Sequence, residues 1–290
     1  MTRRDLLLSL PKEEFILFQQ DDKYGFRNAA GEMLIAPEFD WVYEETMWSG
    51  EYIEVSANNK WGYINKAGEV VLPIEYDEIF PVGYEIGGEI VLFHLLEKDG
   101  LQGIADKDFN ILIPVEYTSL APTGLNIQRA SACKDGKCGF IDIHNNTTIE
   151  FRFEECGYFT EELAPVKVDG KWGYIDMAGE IVIPCQFDDA WQFNDGFASV
   201  MLDQKWGFIN TAGEVVIEIK YDDAGSFGEG LTPVQVGEEW GSIKAYGERS
   251  IEPQFEDACP FHEGHAMVHG FDDNDDWGYH HINARGEFVD

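Results

Sequence analysis

The sequence is poor in basic residues: 20 Lys and Arg residues stand against 55 Asp and Glu residues, which gives a formal net charge of −35. A surface of that sign repels phosphate, so nucleic acids and anionic membranes are disfavoured as partners. Long apolar runs are missing too, since the longest, residues 90–96, is far shorter than the roughly 18 residues that span a bilayer. Aromatic residues, at 14 %, are abundant enough for a packed core, which excludes a disordered chain.

Cysteines are also few, and five at irregular spacing do not form a disulfide framework. Cys133 and Cys138 flank Asp135 and Gly136, a pair typical of a type I′ hairpin turn. Such a turn places the two thiols opposite each other, within reach of a disulfide. We favour reduced thiols in a reducing compartment, with the disulfide as the alternative.

Residues 1–13 contain two arginines and a short apolar stretch that is preceded by Asp5. No small-residue cleavage site follows, so we interpret this segment as an N-terminal lead-in rather than a signal peptide. The expected location is therefore cytoplasmic.

The chain repeats itself. The motif Lys-Trp-Gly-Tyr/Phe-Ile-Asn/Asp-x-Ala-Gly-Glu begins at Lys60, Lys171 and Lys205. Weaker copies begin at Lys23, Leu101, Lys137, Glu239 and Asp276. An aromatic residue follows each of the first seven repeat glycines by 14 positions: Phe39, Tyr76, Tyr117, Phe153, Phe187, Tyr221 and Phe255. We therefore predict eight copies in a single repeat domain over residues 14–290.

This motif resembles the WG β-repeat, also called the KWG repeat, of bacterial proteins, over about nine-tenths of the chain. The third and fourth copies depart from it: Gln102 and Cys138 replace the Trp, and Asp108 and Asn145 take the place of the turn Gly. The resemblance implies a repeat scaffold and supplies no catalytic residues.

The fifth copy predicts three strands. Residues 163–168 and 171–175 alternate around a type I′ signal at Asp169 and Gly170, and residues 181–183 follow a turn in which Gly179 can take positive φ. A lone meander cannot cover its apolar face, so the copies should shield one another. We expect Gly173 to make room for an aromatic residue or backbone of the next copy.

The predicted fold class is all-β: eight three-stranded antiparallel meander units stacked as an open twisted β-solenoid. The alternative is a closed β-propeller. It is less favoured because propeller blades usually have four strands and closure often pairs a terminal strand across the seam.

Histidines cluster near the end of the sequence. A transition-metal site on two neighbouring strands is one hypothesis for them, and polar capping of a terminal repeat is the favoured one. The cluster consists of His262, His265, His269, His280 and His281.

Residues 272–276 resemble the start of a calcium loop, but Trp277 and Asn283 stand where Gly and Glu are needed, so a hairpin tip is favoured. The Asp after each third strand is expected to fix a turn through its side chain. We find no catalytic triad, phosphate loop or zinc-spaced motif, and expect no enzyme activity, cofactor or metal.

Two variable segments are candidate binding loops: residues 80–88, the longest insertion, and residues 41–48, which are aromatic and acidic. Ordinary packing between repeats is the alternative for both.

These observations predict a non-catalytic scaffold that binds a protein partner, most simply a basic one, through its acidic surface and inter-repeat loops. The alternative is a carbohydrate or cell-wall binder with exposed aromatic rows. We expect the Trp172 row to be buried, which favours the scaffold.

Overall fold

A computed structural model describes residues 15–44, 52–86, 89–121, 129–272 and 276–289, without the side chains of 84–86 and 89. These residues form 31 strands in eight antiparallel sheets, so the chain is all-β. It divides into two compact units, residues 1–120 with 143–146, and residues 121–142 with 147–290. The part of the chain that the structure describes holds no helix long and apolar enough to cross a membrane.

The first unit holds three complete sheets. The first sheet has β1 Ile16–Gln20, β2 Lys23–Arg27 and β3 Met33–Phe39. The second has β4 Trp41–Val42, β5 Tyr52–Ala57, β6 Lys60–Asn65 and β7 Val70–Tyr76. The third has β8 Glu78–Ile86, β9 Glu89–Lys98, β10 Leu101–Asp106 and β11 Ile111–Tyr117.

The remaining sheets follow the same order. The fourth has β12 Ser119–Ala121, β13 Ala130–Lys134, β14 Lys137–Ile141 and β15 Thr147–Phe153; the fifth has β16 Glu155–Cys156, β17 Ala164–Val168, β18 Lys171–Ile175 and β19 Ile181–Phe187. The sixth has β20 Asp189–Ala190, β21 Phe197–Leu202, β22 Lys205–Asn210 and β23 Val215–Tyr221; the seventh has β24 Asp223–Ala224, β25 Leu231–Val236, β26 Glu239–Lys244 and β27 Arg249–Phe255. The eighth has β28 Asp257–Ala258, β29 His265–Phe271, β30 Trp277–Asn283 and β31 Phe288–Val289, and a 3₁₀ turn covers Ala245–Gly247.

The local turn chemistry is as predicted. Asp169 and Gly170 have φ values of 51° and 74°, the two positive values that a type I′ turn needs. Gly179 has φ 84° in the second turn. There the side chain of Asp176 accepts hydrogen bonds from the backbone of Ala178 and Glu180 at 2.9 Å each, which closes the loop.

The prediction of three strands per unit is wrong for seven of the eight sheets, which have four. The additional strand comes directly after the third strand of the preceding repeat, as β20 follows β19, and it has two or three residues in each of these sheets except the third, where β8 has nine. It pairs with the next long strand, Asp189 opposite Met201 and Ala190 opposite Val200. The strand count therefore gives no reason to prefer the solenoid to the propeller.

The repeat glycine is approached by the backbone of the third strand in its own copy. The expectation that a residue of the next copy approaches it is wrong. A Cβ on Gly173 would lie 2.5 Å from the backbone oxygen of Ile183. Trp172 pairs with Phe187 and Tyr174 with Ile183, so three residues of β19 face one glycine. The close approach is thus a β-bulge inside the sheet.

The aromatic residue that follows each of the first seven glycines by 14 positions is buried in every case, with at most 7 % of its surface exposed. It pairs with the residue at the Trp position, as Tyr76 does with Trp61 and Tyr221 with Trp206. Neighbouring sheets share their cores: in the first unit, Phe26 and Phe39 from the first sheet pack with Ile53 from the second. This mutual shielding is what the sequence predicts.

The Asp after the third strand holds the next repeat rather than its own turn, so that prediction is corrected. Asp188 accepts a hydrogen bond from the backbone N–H of Asp203, in the following hairpin turn, at 2.8 Å and pairs with Lys171. We call this arrangement the carboxylate latch. It recurs at Asp40 with Lys23 and Asn58, at Asp77 with Lys60 and Asp99, and at Asp222 with Lys205 and Gly237.

A second series of carboxylates joins successive turns in the second unit. Glu161 accepts from the N–H of Gly196, and 34 residues later Asp195 accepts from Gly230 at 3.1 Å. Glu229 accepts from Gly264 at 2.8 Å. Part of the acidic excess thus has a structural role at the junctions between repeats.

Candidate functional site

The first unit contains a cavity of about 620 Å³ between its second and third sheets, which we call the aromatic cleft. One wall is a face of the β5–β6 hairpin. Since Glu54 pairs with Tyr63, and Tyr52 and Trp61 lie two residues away from them, all four side chains share this face. The structure thus gathers three aromatic rings around one carboxylate.

The floor of the cleft is Phe109, in the turn between β10 and β11. Its ring stacks on Tyr63 with centroids 4.3 Å apart and lies 4.5 Å from the imidazole of His94. Phe109 has φ 64° and holds the position that Gly68 holds in the preceding repeat, so the expectation that Asp108 replaces the turn glycine is wrong by one residue. A bulky residue in this region of φ is strained, and such strain concentrates at functional positions.

Glu54 is the acid of the cleft. The hydroxyl of Tyr63 donates a hydrogen bond of 2.8 Å to Oε2 of Glu54. Burial raises the pKa of Glu54, and this hydrogen bond partly offsets the rise. A partly desolvated carboxylate attracts a cationic group that can enter beside it.

His94 on β9 contributes a neutral imidazole. Its Nδ1 lies 3.2 Å from the backbone oxygen of Asp106, and burial lowers its pKa below the usual value. At neutral pH His94 therefore adds no positive charge to the cleft. Lys107 also lines the cleft, and its ammonium pairs with Asp108 at 2.7 Å.

Both candidate binding loops contribute to the rim. Tyr43, from residues 41–48, and Pro81, from residues 80–88, line the cleft beside Leu92 of β9. Residues 80–86 continue strand β8 and do not form a loop, whereas 45–48 and 87–88 lie outside the described residues. The structure thus brings together two segments that the sequence suggested separately.

The histidine cluster divides between two faces. His281 pairs with Met267 and so shares a face with His265 and His269, whereas His280 pairs with Val268 on the other face. His262, His265 and His281 line a cavity of about 500 Å³. His269 packs between the rings of Trp277 and Tyr279, and its Nδ1 lies 3.3 Å from Glu256.

In the calcium-like segment, residues 273–275 lie outside the described residues. Its ends are joined, since the N–H of Asp276 donates to Oδ1 of Asp272 at 2.8 Å.

Cys133 and Cys138 stand opposite each other in the predicted hairpin, with Cα atoms 4.0 Å apart. They form a disulfide, so the expectation of two reduced thiols is corrected. The physical reason is the non-hydrogen-bonded pair, in which directly opposite Cβ atoms come closest.

The tryptophans do not form one buried row. Trp206 is buried at 8 % exposure, whereas Trp61, Trp172 and Trp240 are half-buried. Trp277, at the repeat position of the eighth copy, is exposed, as are Trp41 and Trp191 outside the repeat position.

Sequence reasoning did not find the cleft, because its residues come from four strands, the turn between β10 and β11, and Tyr43 after β4. The available signal was Phe109, an aromatic residue six positions after the repeat glycine, where the second copy has Gly68.

Comparison with known proteins identifies the repeat. The family described as WG containing repeat matches residues 24–61, 61–85, 139–172, 172–206 and 206–240, together more than half of the chain. No curated protein matches the chain.

Several solved structures are similar at low identity. One, described as the crystal structure of the eukaryotic initiation factor, has 11 % identity and a TM-score of 0.50 and covers 82 % of this chain and 72 % of that chain. Kluyveromyces lactis Hsv2p has 9 % identity and a TM-score of 0.46, covering 80 % and 94 %. The dihydro-heme d1 dehydrogenase NirN has 10 % identity and a TM-score of 0.46, covering 98 % and 75 %. The first likeness supports the all-β fold alone.

Proposed function

Because the chain belongs to the family of proteins with WG-containing repeats, we propose that it is a repeat scaffold that binds a basic protein segment, with the aromatic cleft as the site for an arginine or lysine side chain. The observation that carries the proposal is Glu54 set among Tyr52, Trp61 and Tyr63 in one cleft. A cation over an aromatic face gains roughly 0.5–2 kcal/mol, and the carboxylate beside it adds a charged hydrogen bond.

Charge complementarity supports a basic guest over an acidic or neutral one. The net charge of −35 attracts cations at long range and speeds their encounter with the protein. Within the cleft, a guanidinium beside Glu54 would offset the cost of having partly buried that carboxylate.

The test is titration with a short arginine-containing peptide, followed by calorimetry, beside the same peptide with neutral citrulline for arginine. We expect Glu54→Gln to weaken arginine-peptide binding about tenfold or more, since a hydrogen bond to a charged group contributes roughly 1.5–3 kcal/mol. Glu38→Gln is the matched control, because Glu38 is exposed on β3 and removing it changes the net charge equally. Equal losses in both variants, or no preference for arginine, would contradict the proposal.

Carbohydrate binding is the second candidate, and the half-exposed rings of Trp61 and Tyr52 with the exposed Tyr43 favour it. Stacking of a sugar ring on these aromatics would depend little on ionic strength. Binding of a neutral oligosaccharide that is insensitive to salt would therefore support this candidate, whereas affinity that falls steeply with salt supports the basic segment.

For the arrangement of the scaffold, we propose that the eight sheets follow one another in series as an open solenoid, with the closed β-propeller as the alternative. The short linking strands and the carboxylate latches support the series, because each ties one repeat to the next. Small-angle X-ray scattering tests it: an extended profile supports the solenoid, and a compact profile supports the closed propeller.

A further inference from the structure

Three sulfur atoms converge in the second unit. The Sγ atoms of Cys133, Cys138 and Cys156 all lie within 4.8 Å of one another. Among the described residues, no other group of three or more Cys, His, Asp or Glu side chains brings its ligand atoms so close. Cys138 is buried, and Cys133 and Cys156 are half-buried, so the group can be reached from solvent.

The other repeats show what these positions usually hold. Cys138 stands at the Trp position, where the fifth and sixth copies have Trp172 and Trp206. Cys156, on the short linking strand β16, corresponds to Ala190 on β20. Cys133 is opposite Cys138, as Lys167 is opposite Trp172.

Two departures from the repeat pattern, Cys138 and Cys156, therefore meet at one point, together with Cys133 from a position that varies among the copies. Cys156 approaches from the neighbouring sheet, and its sulfur lies 3.7 Å from the backbone oxygen of Gly139. The convergence joins two sheets, since Cys138 lies on β14 in the fourth and Cys156 on β16 in the fifth.

We propose that this group is a binding site for one soft monovalent metal ion of the copper(I) class, formed when the Cys133–Cys138 disulfide is reduced. A dithiol reductant supplies the two electrons and two protons that convert the disulfide to two thiols, and is itself oxidised to a disulfide. The metal ion then displaces one proton from each of the three thiols, which become thiolate ligands.

The geometry suits three ligands. With a metal–sulfur bond of about 2.3 Å, the length found in zinc thiolates, a trigonal site needs sulfurs about 4.0 Å apart. Reduction separates the bonded sulfurs of Cys133 and Cys138, and the sulfur of Cys156 already lies within 4.8 Å of both. Three thiolates favour copper(I) over zinc, whose structural sites take four ligands.

The surroundings support a thiolate site rather than a solvated one. The group packs against a cluster that includes Phe140, Phe153 and Val166. The negative charge of the chain raises the local concentration of cations.

The experiment measures copper(I) transfer under anaerobic conditions from bathocuproine disulfonate, a coloured chelator, to the protein reduced with dithiothreitol. Thiol titration first confirms reduction, because three free cysteines should become five. We expect one equivalent of copper(I) to move to the reduced protein. We also expect Cys156→Ser and Cys133→Ser each to weaken copper(I) binding at least about tenfold. Cys259→Ser is the matched control and should bind like the unchanged protein.

Two results would overturn the proposal. One is reduced protein that takes no more copper(I) than Cys156→Ser, with circular dichroism showing that both are folded. The other is a disulfide that dithiothreitol does not reduce in the folded chain, which would make the pair a structural cross-link. The proposal does not rest on the aromatic cleft, so neither result bears on the proposed function.

Discussion

At the scale of residues, two repeat glycines can be compared because they differ in the space around them. In Gly173→Ala the new Cβ would lie 2.5 Å from a backbone oxygen, whereas at Gly278, in the last repeat, it would meet nothing within 4 Å. We expect Gly173→Ala to lower the free energy of unfolding by about 1–3 kcal/mol through overpacking, and Gly278→Ala to change it little. Urea unfolding of the two variants measures the difference, and equal values would contradict the bulge as the reason for the glycine.

Phe109 permits a second residue-scale prediction. Phe109→Gly relieves the positive φ, a gain of about 1 kcal/mol, but removes the ring that stacks on Tyr63. Since loss of a buried Phe side chain costs about 3–5 kcal/mol, we expect a net loss of about 2–4 kcal/mol and weaker ligand binding in the cleft. Chemical unfolding and calorimetry measure the two effects.

The control for Phe109 is Tyr246, which has φ 67° and is 78 % exposed. Tyr246→Gly relieves the same conformation without losing a buried ring, so its stability should change by less than about 1 kcal/mol. A Phe109→Gly variant as stable as Tyr246→Gly would show that the ring does not support the cleft.

The sequence predicts many residue-level features because they depend on local chemistry. Asp169 and Gly170 require only a two-residue turn, and the pairing of Cys133 with Cys138 follows from the same turn type. The partner of Gly173 could not be predicted, since a bulge depends on how far the third strand shifts. Phe109 was missed because the third copy has no glycine to mark its turn.

At the scale of elements, the carboxylate latch makes stability depend on pH. The hydrogen bond from Lys171, followed by that from the N–H of Asp203, lowers the pKa of Asp188 below its usual value. A carboxyl whose pKa is lowered in the folded state contributes its full stabilisation to the fold at pH values above its pKa in the unfolded chain, near 3.9. This contribution is lost as the pH falls through the pKa of the folded state. The pKa values of Asp40, Asp77 and Asp222 are lowered too, and in each case the largest cause is the hydrogen bond from the paired lysine.

We therefore expect the melting temperature to fall between about pH 5 and about pH 2, and to fall less steeply in Asp188→Asn. Differential scanning calorimetry across this range measures the slope. Asp203→Asn is the control, because it removes one negative charge at the same contact but keeps the N–H that the latch uses. Equal slopes in both variants would show that net charge, not the latch, sets the acid sensitivity.

The long strands were predictable and the short linking strands were not. β17 and β18 have five residues each, which is long enough for a strand period to be recognised in the sequence. β20 has two residues, Asp189 and Ala190, and two residues have no period. The same limit hid the five additional strands of two residues and the three-residue β12, whereas part of the nine-residue β8 was interpreted as a loop insertion.

At the scale of the whole molecule, the repeat and its family were predictable because every copy must bury its apolar face and does so with the same pattern of residues. The cleft was not predictable, because it depends on how one irregular copy departs from that pattern. Phe109, the continuation of β8 through residue 86 and the half-buried Glu54 act together only after the sheets pack. A repeat scaffold thus reveals its architecture in what its copies share and its candidate sites in where they differ.

The net charge of −35 should give salt two opposite effects. Raising the ionic strength from about 0.01 M to about 0.15 M shortens the screening length from about 30 Å to about 8 Å, which weakens long-range repulsion between carboxylates. The latch pairs are in direct contact and are screened less, as for Lys60 and Asp77 at 2.6 Å. The melting temperature should therefore rise with salt, while affinity for an arginine peptide falls. Choline chloride in place of sodium chloride separates screening from sodium binding, and a melting temperature that falls with both salts would show that ion pairs outweigh repulsion.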